Sequence, residues 1–125
     1  MTTLLDWEKA LENADGSEEL LIELAGVFIA ECPEMMRQIR AALDQGDVQA
    51  LRRTAHSFKG AARIFAAAAA TEAGLALEMA GASDDLSGVD EKWAVLRLEA
   101  ERLMATLAER IGEEKAGDAK GAQGS

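Results

Sequence analysis

Between residues 21 and 43, apolar side chains recur at intervals of three and four: Leu21, Leu24, Phe28, Cys32, Met35, Ile39 and Leu43. That spacing keeps one stripe of a 3.6-residue helix apolar and predicts a single helical path from Ser17 to about Gln45. Ser17 is suited to cap it, and Glu18 and Glu19 fall in the first turn, where the helix dipole favours acids. Pro33 has no amide proton and crowds the preceding turn, so a kink or break is expected there. Upstream, a short helix is expected from Leu4 or Asp6 to Ala14, stopped by Asp15-Gly16.

Downstream, Gln45-Gly46-Asp47 ends one helix and caps the next, over residues 48–65. A weak junction is expected over residues 65–69, then a further helix to about Ala80 and a turn-rich loop over 81–88. Ser87 and Asp90 look like the start of the last helix, whose stripe is Trp93, Leu96, Ala100, Leu103, Leu107 and Ile111. From Gly112 the sequence GEEKAGDAKGAQGS has nothing to bury. The expected division is therefore a helical domain over 1–112 and a disordered tail or linker over 113–125. Four main helices with short connections predict an all-α, antiparallel four-helix bundle preceded by a short lid helix. The alanine run at 66–70 reads as close helix packing.

Composition supports this class and narrows the chemistry. Apolar residues make up 49% of the 125, there is one proline, and tyrosine is absent. Strand formers are too sparse for a sheet. The net charge of −10 argues against nucleic acid or an anionic membrane as the main partner. Cys32 is alone, so it cannot form an internal disulfide, and it lies on the apolar stripe, where it reads as packing. MTTLLDWEKAL has neither the basic nor the apolar region of a signal peptide, and no apolar run is long enough to span a bilayer. A cytoplasmic protein is expected.

One helix carries an exception to the acidic surface. Leu51, Ala55, Phe58, Ala62 and Phe65 form its core stripe. Arg52, Arg53, His56, Lys59, Gly60 and Arg63 lie within roughly 60° of His56 on another face. The only histidine in the chain thus points outward among four cations. Such a face can be mere solvated surface. Gly60 weighs against that, because glycine in an exposed helix interior costs about 1 kcal/mol relative to alanine. It clears space one turn from the imidazole, and Lys59 can reach the same space. A nucleophilic imidazole, a nearby ammonium and a clear approach are what a phosphoryl acceptor needs.

Metal chemistry fits poorly. A di-iron bundle uses Glu-x-x-His pairs, but Arg53 stands three residues before His56 and there is no second histidine. No HExxH, EF-hand loop or glycine-rich phosphate loop occurs, so no metal, cofactor or ATP site is expected, and the chain should not phosphorylate itself.

The segment AHSFKGAARIF, with LRRT before it, resembles the signature of histidine-containing phosphotransfer (HPt) domains, whose core reads A-H-x-[Leu/Phe]-K-G-[Ser/Ala]-[Ser/Ala]. The similarity extends back to the DWEKALENADGSEELL lead-in and forward to LALE, about residues 5–80. The resemblance implies that His56 is the phosphorylated histidine, that Lys59 steadies the phosphoryl group and that Gly60 clears room for it. It also implies that Glu78 lies beside the imidazole, where many members carry Glu or Gln. Ala66 departs from the pattern, since the family usually has glycine at this junction, and that bears on where Glu78 lands.

The implied function is a phosphocarrier without an ATP site of its own. It would exchange a phosphoryl group between His56 and an aspartate of a response-regulator receiver domain. The receiver would supply the acidic pocket and Mg²⁺, and a hybrid sensor histidine kinase is a second implied partner. Arg52, Arg53 and Arg63 are the expected docking cations, and a monomer is expected. Two rivals remain: a bundle that docks receivers or scaffolds another partner without chemistry, and an enzyme using His56 as a general base. The latter lacks a second catalytic group on the same helix face.

Overall fold

The computed structural model describes the backbone of residues 4–123 and the side chains of residues 4–113. Its elements are α1 (Trp7–Asn13), α2 (Glu18–Gln45), α3 (Val48–Ile64), α4 (Ala68–Ala82) and α5 (Val89–Gln123), with no strand among the described residues. Three helix starts are set by acceptors that the sequence offers. Asp6 accepts from the Lys9 amide, Ser17 from Leu20 and Asp47 from Ala50, each satisfying an amide with no partner inside its helix. Gly46 closes α2 in the left-handed conformation at φ 66°, which a glycine adopts without strain.

α2 packs on α3, α3 on α4, α4 on α5, and α5 back on α2, which closes a four-helix ring. The short connections make sequential neighbours antiparallel. Leu21, Phe28, Cys32 and Ile39 of α2 meet Leu51, Phe58 and Phe65 of the α3 side and Leu96, Leu103 and Leu107 of α5 in one core. Phe28 lies 5.7 Å from Phe65, edge-on, and 6.1 Å from Phe58. α1 lies outside the ring, pinned by stacking of Arg110 on Trp7 at 4.6 Å. Asn13 at its end donates to the Arg63 and Ile64 carbonyls at 3.4 and 3.0 Å. These carbonyls close α3 and have no partner within it. No helix among the described residues is long and apolar enough to cross a membrane.

α2 runs through Pro33 without a break. Core-facing side chains on both sides, Phe28, Cys32 and Ile39, are buried, so packing supports the helix before and after the proline. At the other end, the backbone of α5 continues as helix to Gln123, across the expected boundary at 112/113. Residues 124 and 125 of the expected tail lie outside the described residues, as do the side chains from position 114 on.

Candidate functional site

α3 buries one stripe, and this aims the opposite one at solvent. Leu51, Ala55, Phe58 and Ala62 are buried, so Arg52, Arg53, His56, Gly60 and Arg63 emerge. The His56 side chain is 69% exposed. A shallow groove beside it is lined by Gln49, Arg52, Arg53, Ser57 and Glu78. A Cβ built on Gly60 would meet nothing within 4 Å, so the space one turn beyond the imidazole is open.

Lys59 differs from expectation. It lies at the edge of the face, against α4, with only 13% of its side chain exposed. Its ammonium is engaged by Glu78, 3.0 Å from Oε1 and 2.9 Å from Oε2. The same carboxylate lies 2.9 Å from His56 Nδ1 through Oε2. Glu78 therefore bridges the lysine and the imidazole, itself only 15% exposed. Hydrogen bonding first from Lys59 and then from His56 holds its carboxyl below the usual carboxylate range. An ionised carboxylate can only accept, so the Nδ1 facing it carries a proton. In the neutral ring this leaves the lone pair on Nε2.

The seam between α3 and α4 explains how a side chain as short as glutamate reaches both partners. A Cβ on Gly81 would fall 2.7 Å from the Val48 carbonyl oxygen and 2.9 Å from the Arg52 amide nitrogen, both backbone atoms of α3. One on Gly74 would fall 3.0 Å from the Phe58 ring and 3.3 Å from Lys59 Cα. These two glycines were not singled out by sequence reasoning. The available signal was their separation of seven residues within a helical run, which puts both on one face with Glu78 between them. Ala66, where glycine was expected, holds φ 53°. This left-handed conformation costs an L-residue roughly 1–2 kcal/mol, and the hairpin keeps it while Glu78 still reaches His56.

Other residues fall outside this cluster. Cys32 is fully buried on α2, and burial pushes its thiol up to about 11. Met79 is 60% exposed, with Leu75, also exposed, one turn before it. Among the described residues no group of three His, Cys, Asp or Glu is arranged to hold a metal ion.

The family profile described as Hpt domain matches residues 23–112. Among solved structures, the histidine-containing phosphotransfer protein B (HptB) of Pseudomonas aeruginosa PAO1 is similar at a TM-score of 0.82 and 25% identity, covering 90% of this chain and 98% of that one. The HPT domain of the Hpt sensor hybrid histidine kinase from Shewanella is similar at a TM-score of 0.79 and 19% identity, over 88% and 95%. No curated protein matches the chain.

Proposed function

This chain belongs to the Hpt domain family, matched over residues 23–112, and from that premise we propose that it carries a phosphoryl group on Nε2 of His56 between aspartates of receiver domains. The observation that carries the reading is the bridge from Glu78 to His56 Nδ1 at 2.9 Å, beside a solvent-open face. It favours the tautomer in which Nε2 is the free nucleophile. In the forward step the Nε2 lone pair forms the N–P bond while the aspartyl P–O bond breaks, and the aspartate leaves as carboxylate with the electron pair. The ring keeps its Nδ1 proton and gains positive charge, which Glu78 stabilises.

Lys59 supports the transfer by a change of partner. It is held by Glu78 at rest, and its ammonium and the ring Nδ1 meet the same carboxylate oxygen, each at 2.9 Å. Once the ring is charged and the phosphoryl group is in place, the lysine can turn toward the phosphoryl oxygens while Glu78 pairs with the imidazolium. Gly60 leaves room for the incoming group and for the partner's loops. The receiver supplies Mg²⁺ and the acidic pocket, Arg52, Arg53 and Arg63 steer its approach, and a hybrid sensor kinase stands upstream. The module acts as a monomer.

The test is incubation with a phosphorylated receiver and Mg²⁺. One phosphoryl group that survives alkali and is lost in acid should appear, and His56→Ala should abolish it while the domain stays folded. Labelling that persists in that variant would overturn the assignment, and a folded wild type that takes no label from any receiver or kinase of its source would favour the docking-only bundle.

A further inference from the structure

We infer that Gly81, assisted by Gly74, is a positioning residue for phosphoryl transfer: it sets the depth of α4 against α3 and so holds the Glu78 carboxylate within reach of the imidazole. This rests on the role proposed for Glu78 and extends it to residues that never touch the reacting atoms.

Gly74, Glu78 and Gly81 follow one another at intervals of four and three, so they share the face of α4 that meets α3. The atoms closest to Gly81 are the Val48 carbonyl oxygen and the Arg52 amide nitrogen, which belong to the first turns of α3 and cannot rotate aside. Ordinary van der Waals contact is 3.4–4 Å. A methyl group 2.7 Å from the carbonyl oxygen would have to move out by about 0.7 Å, the difference between 3.4 and 2.7, and α4 would move with it. Glu78 is three residues away, about 4.5 Å along the axis, so it takes part in that movement.

The two partners of Glu78 would not respond alike. Lys59 reaches the carboxylate through a four-carbon stem and can follow it. The imidazole of His56 has two torsions and starts from 2.9 Å, so a shift of a few tenths of an ångström takes the pair toward the limit of a hydrogen bond. Widening the seam thus releases His56 and leaves the Lys59–Glu78 pair. Gly74 acts in the same sense and more gently, since a Cβ there meets first the Phe58 ring at 3.0 Å. That ring is fully buried between α4 and Phe28 and yields only with rearrangement of the core.

The experiment compares Gly81→Ala, Gly74→Ala and, as a control, Gly26→Ala, whose new methyl meets nothing within 4 Å. Each is made in the wild type and in Glu78→Ala, and scored by circular dichroism, phosphotransfer rate from a phosphorylated receiver, and ¹⁵N shifts of the His56 ring. Gly81→Ala should slow transfer about fivefold to tenfold and convert the Nδ1–H form into a mixture of tautomers. Gly74→Ala should do the same to a smaller degree, and Gly26→Ala should do neither. In the Glu78→Ala background the Gly81 substitution should cost nothing further. A folded Gly81→Ala domain with wild-type rate and unchanged ring shifts overturns the inference. So does a slowdown that persists in full without Glu78. If Gly81→Ala does not fold, Gly74→Ala decides by the same readouts. If Glu78→Ala alone transfers at the wild-type rate, the role of Glu78 fails, whereas the ring shifts still report separately on whether the glycines hold it in place.

Discussion

The outward face of α3 and the seam that α3 shares with α4 use glycine for opposite purposes. At Gly60 an added Cβ would enter open space; at Gly81 it would strike backbone at 2.7 Å. The first glycine keeps a surface clear for something arriving from outside. The second lets two helices approach until a carboxylate on one bridges two side chains of the other. Both depart from the helix preference for alanine by about 1 kcal/mol, and only the surroundings tell the two uses apart. Charge divides the same way. The face carries Arg52, Arg53 and Arg63 in solvent, whereas Lys59 and Glu78 at the seam are mostly buried and paired.

The largest effect should come from beneath the seam. Phe58 is fully buried, packs on Phe28 and supports Gly74 from below. Phe58→Ala should destabilise the domain by about 3–5 kcal/mol, read by urea denaturation, and phosphoryl acceptance should fall with the folded fraction. A loss under 1 kcal/mol would mean that the seam does not rest on this ring. On the open face the expectation reverses. Gly60→Leu should leave the melting temperature unchanged or raise it slightly while slowing transfer by roughly a hundredfold, the scale on which misplacement of about 1 Å acts. A variant that melts as the wild type and transfers as fast would reduce Gly60 to an accident of the surface.

The same contrast explains what could be read from the sequence. The apolar stripes of α2, α3 and α5 were legible because burial imposes a 3.6-residue period, and Leu21, Phe28, Leu51, Phe58, Leu96 and Leu107 are all in the core. His56 and Gly60 were legible because their departure from an acidic surface and from helix propensity is local to one turn. The seam was not, since its meaning lies between helices. Gly74 and Gly81 look like weak spots until Val48 and Arg52 are placed against them. The latch from Asn13 to the end of α3 joins residues 50 apart or more and leaves no local pattern. Pro33 shows the converse: a local rule predicted a kink or break, and with packing on both sides the helix runs on without a break.

Glu78 belongs to the seam by position and to the face by chemistry, and its substitution should have an intermediate effect. Glu78→Ala should slow phosphorylation about tenfold, the lower end of what an oriented acid–base group contributes, with receiver binding and fold largely kept. Glu78→Gln should recover part of the rate, because the amide oxygen still accepts from Nδ1–H but brings no charge. Acidity offers a second reading. The Glu78 carboxyl is lowered from 4.5 in the folded state, chiefly by Lys59. Its stabilising contribution is therefore fully present above about pH 4.5 and lost as pH falls through the lower, folded value. The difference in melting temperature between wild type and Glu78→Gln should shrink as pH falls below about 4.5. A difference that does not change with acidity would remove the ion pair from the account.

The smallest effect is expected at the arginines, where the face meets solvent. Among the described residues Arg52, Arg53 and Arg63 take part in no salt bridge, so their charge is available to an approaching partner. Reversal should leave the backbone contacts of these positions intact. The Arg52 amide would still face Gly81, and the Arg63 carbonyl would still accept from Asn13. Only the long-range field changes. Arg52 is one turn from His56 and Arg63 two, or about 6 and 10 Å along the axis, and the Debye length at 0.1 M salt is about 10 Å. Both therefore act on an acidic receiver pocket centred over His56, Arg52 the more strongly. Arg52→Glu should lower the association rate about fivefold at 20 mM salt and less than twofold at 0.5 M, with Arg63→Glu showing a weaker form of the same trend. Stopped-flow mixing with a receiver over that salt range measures it. Rates unchanged by either reversal at every ionic strength would leave the arginines as solvated surface and confine the chemistry of this face to His56 and the space beside it.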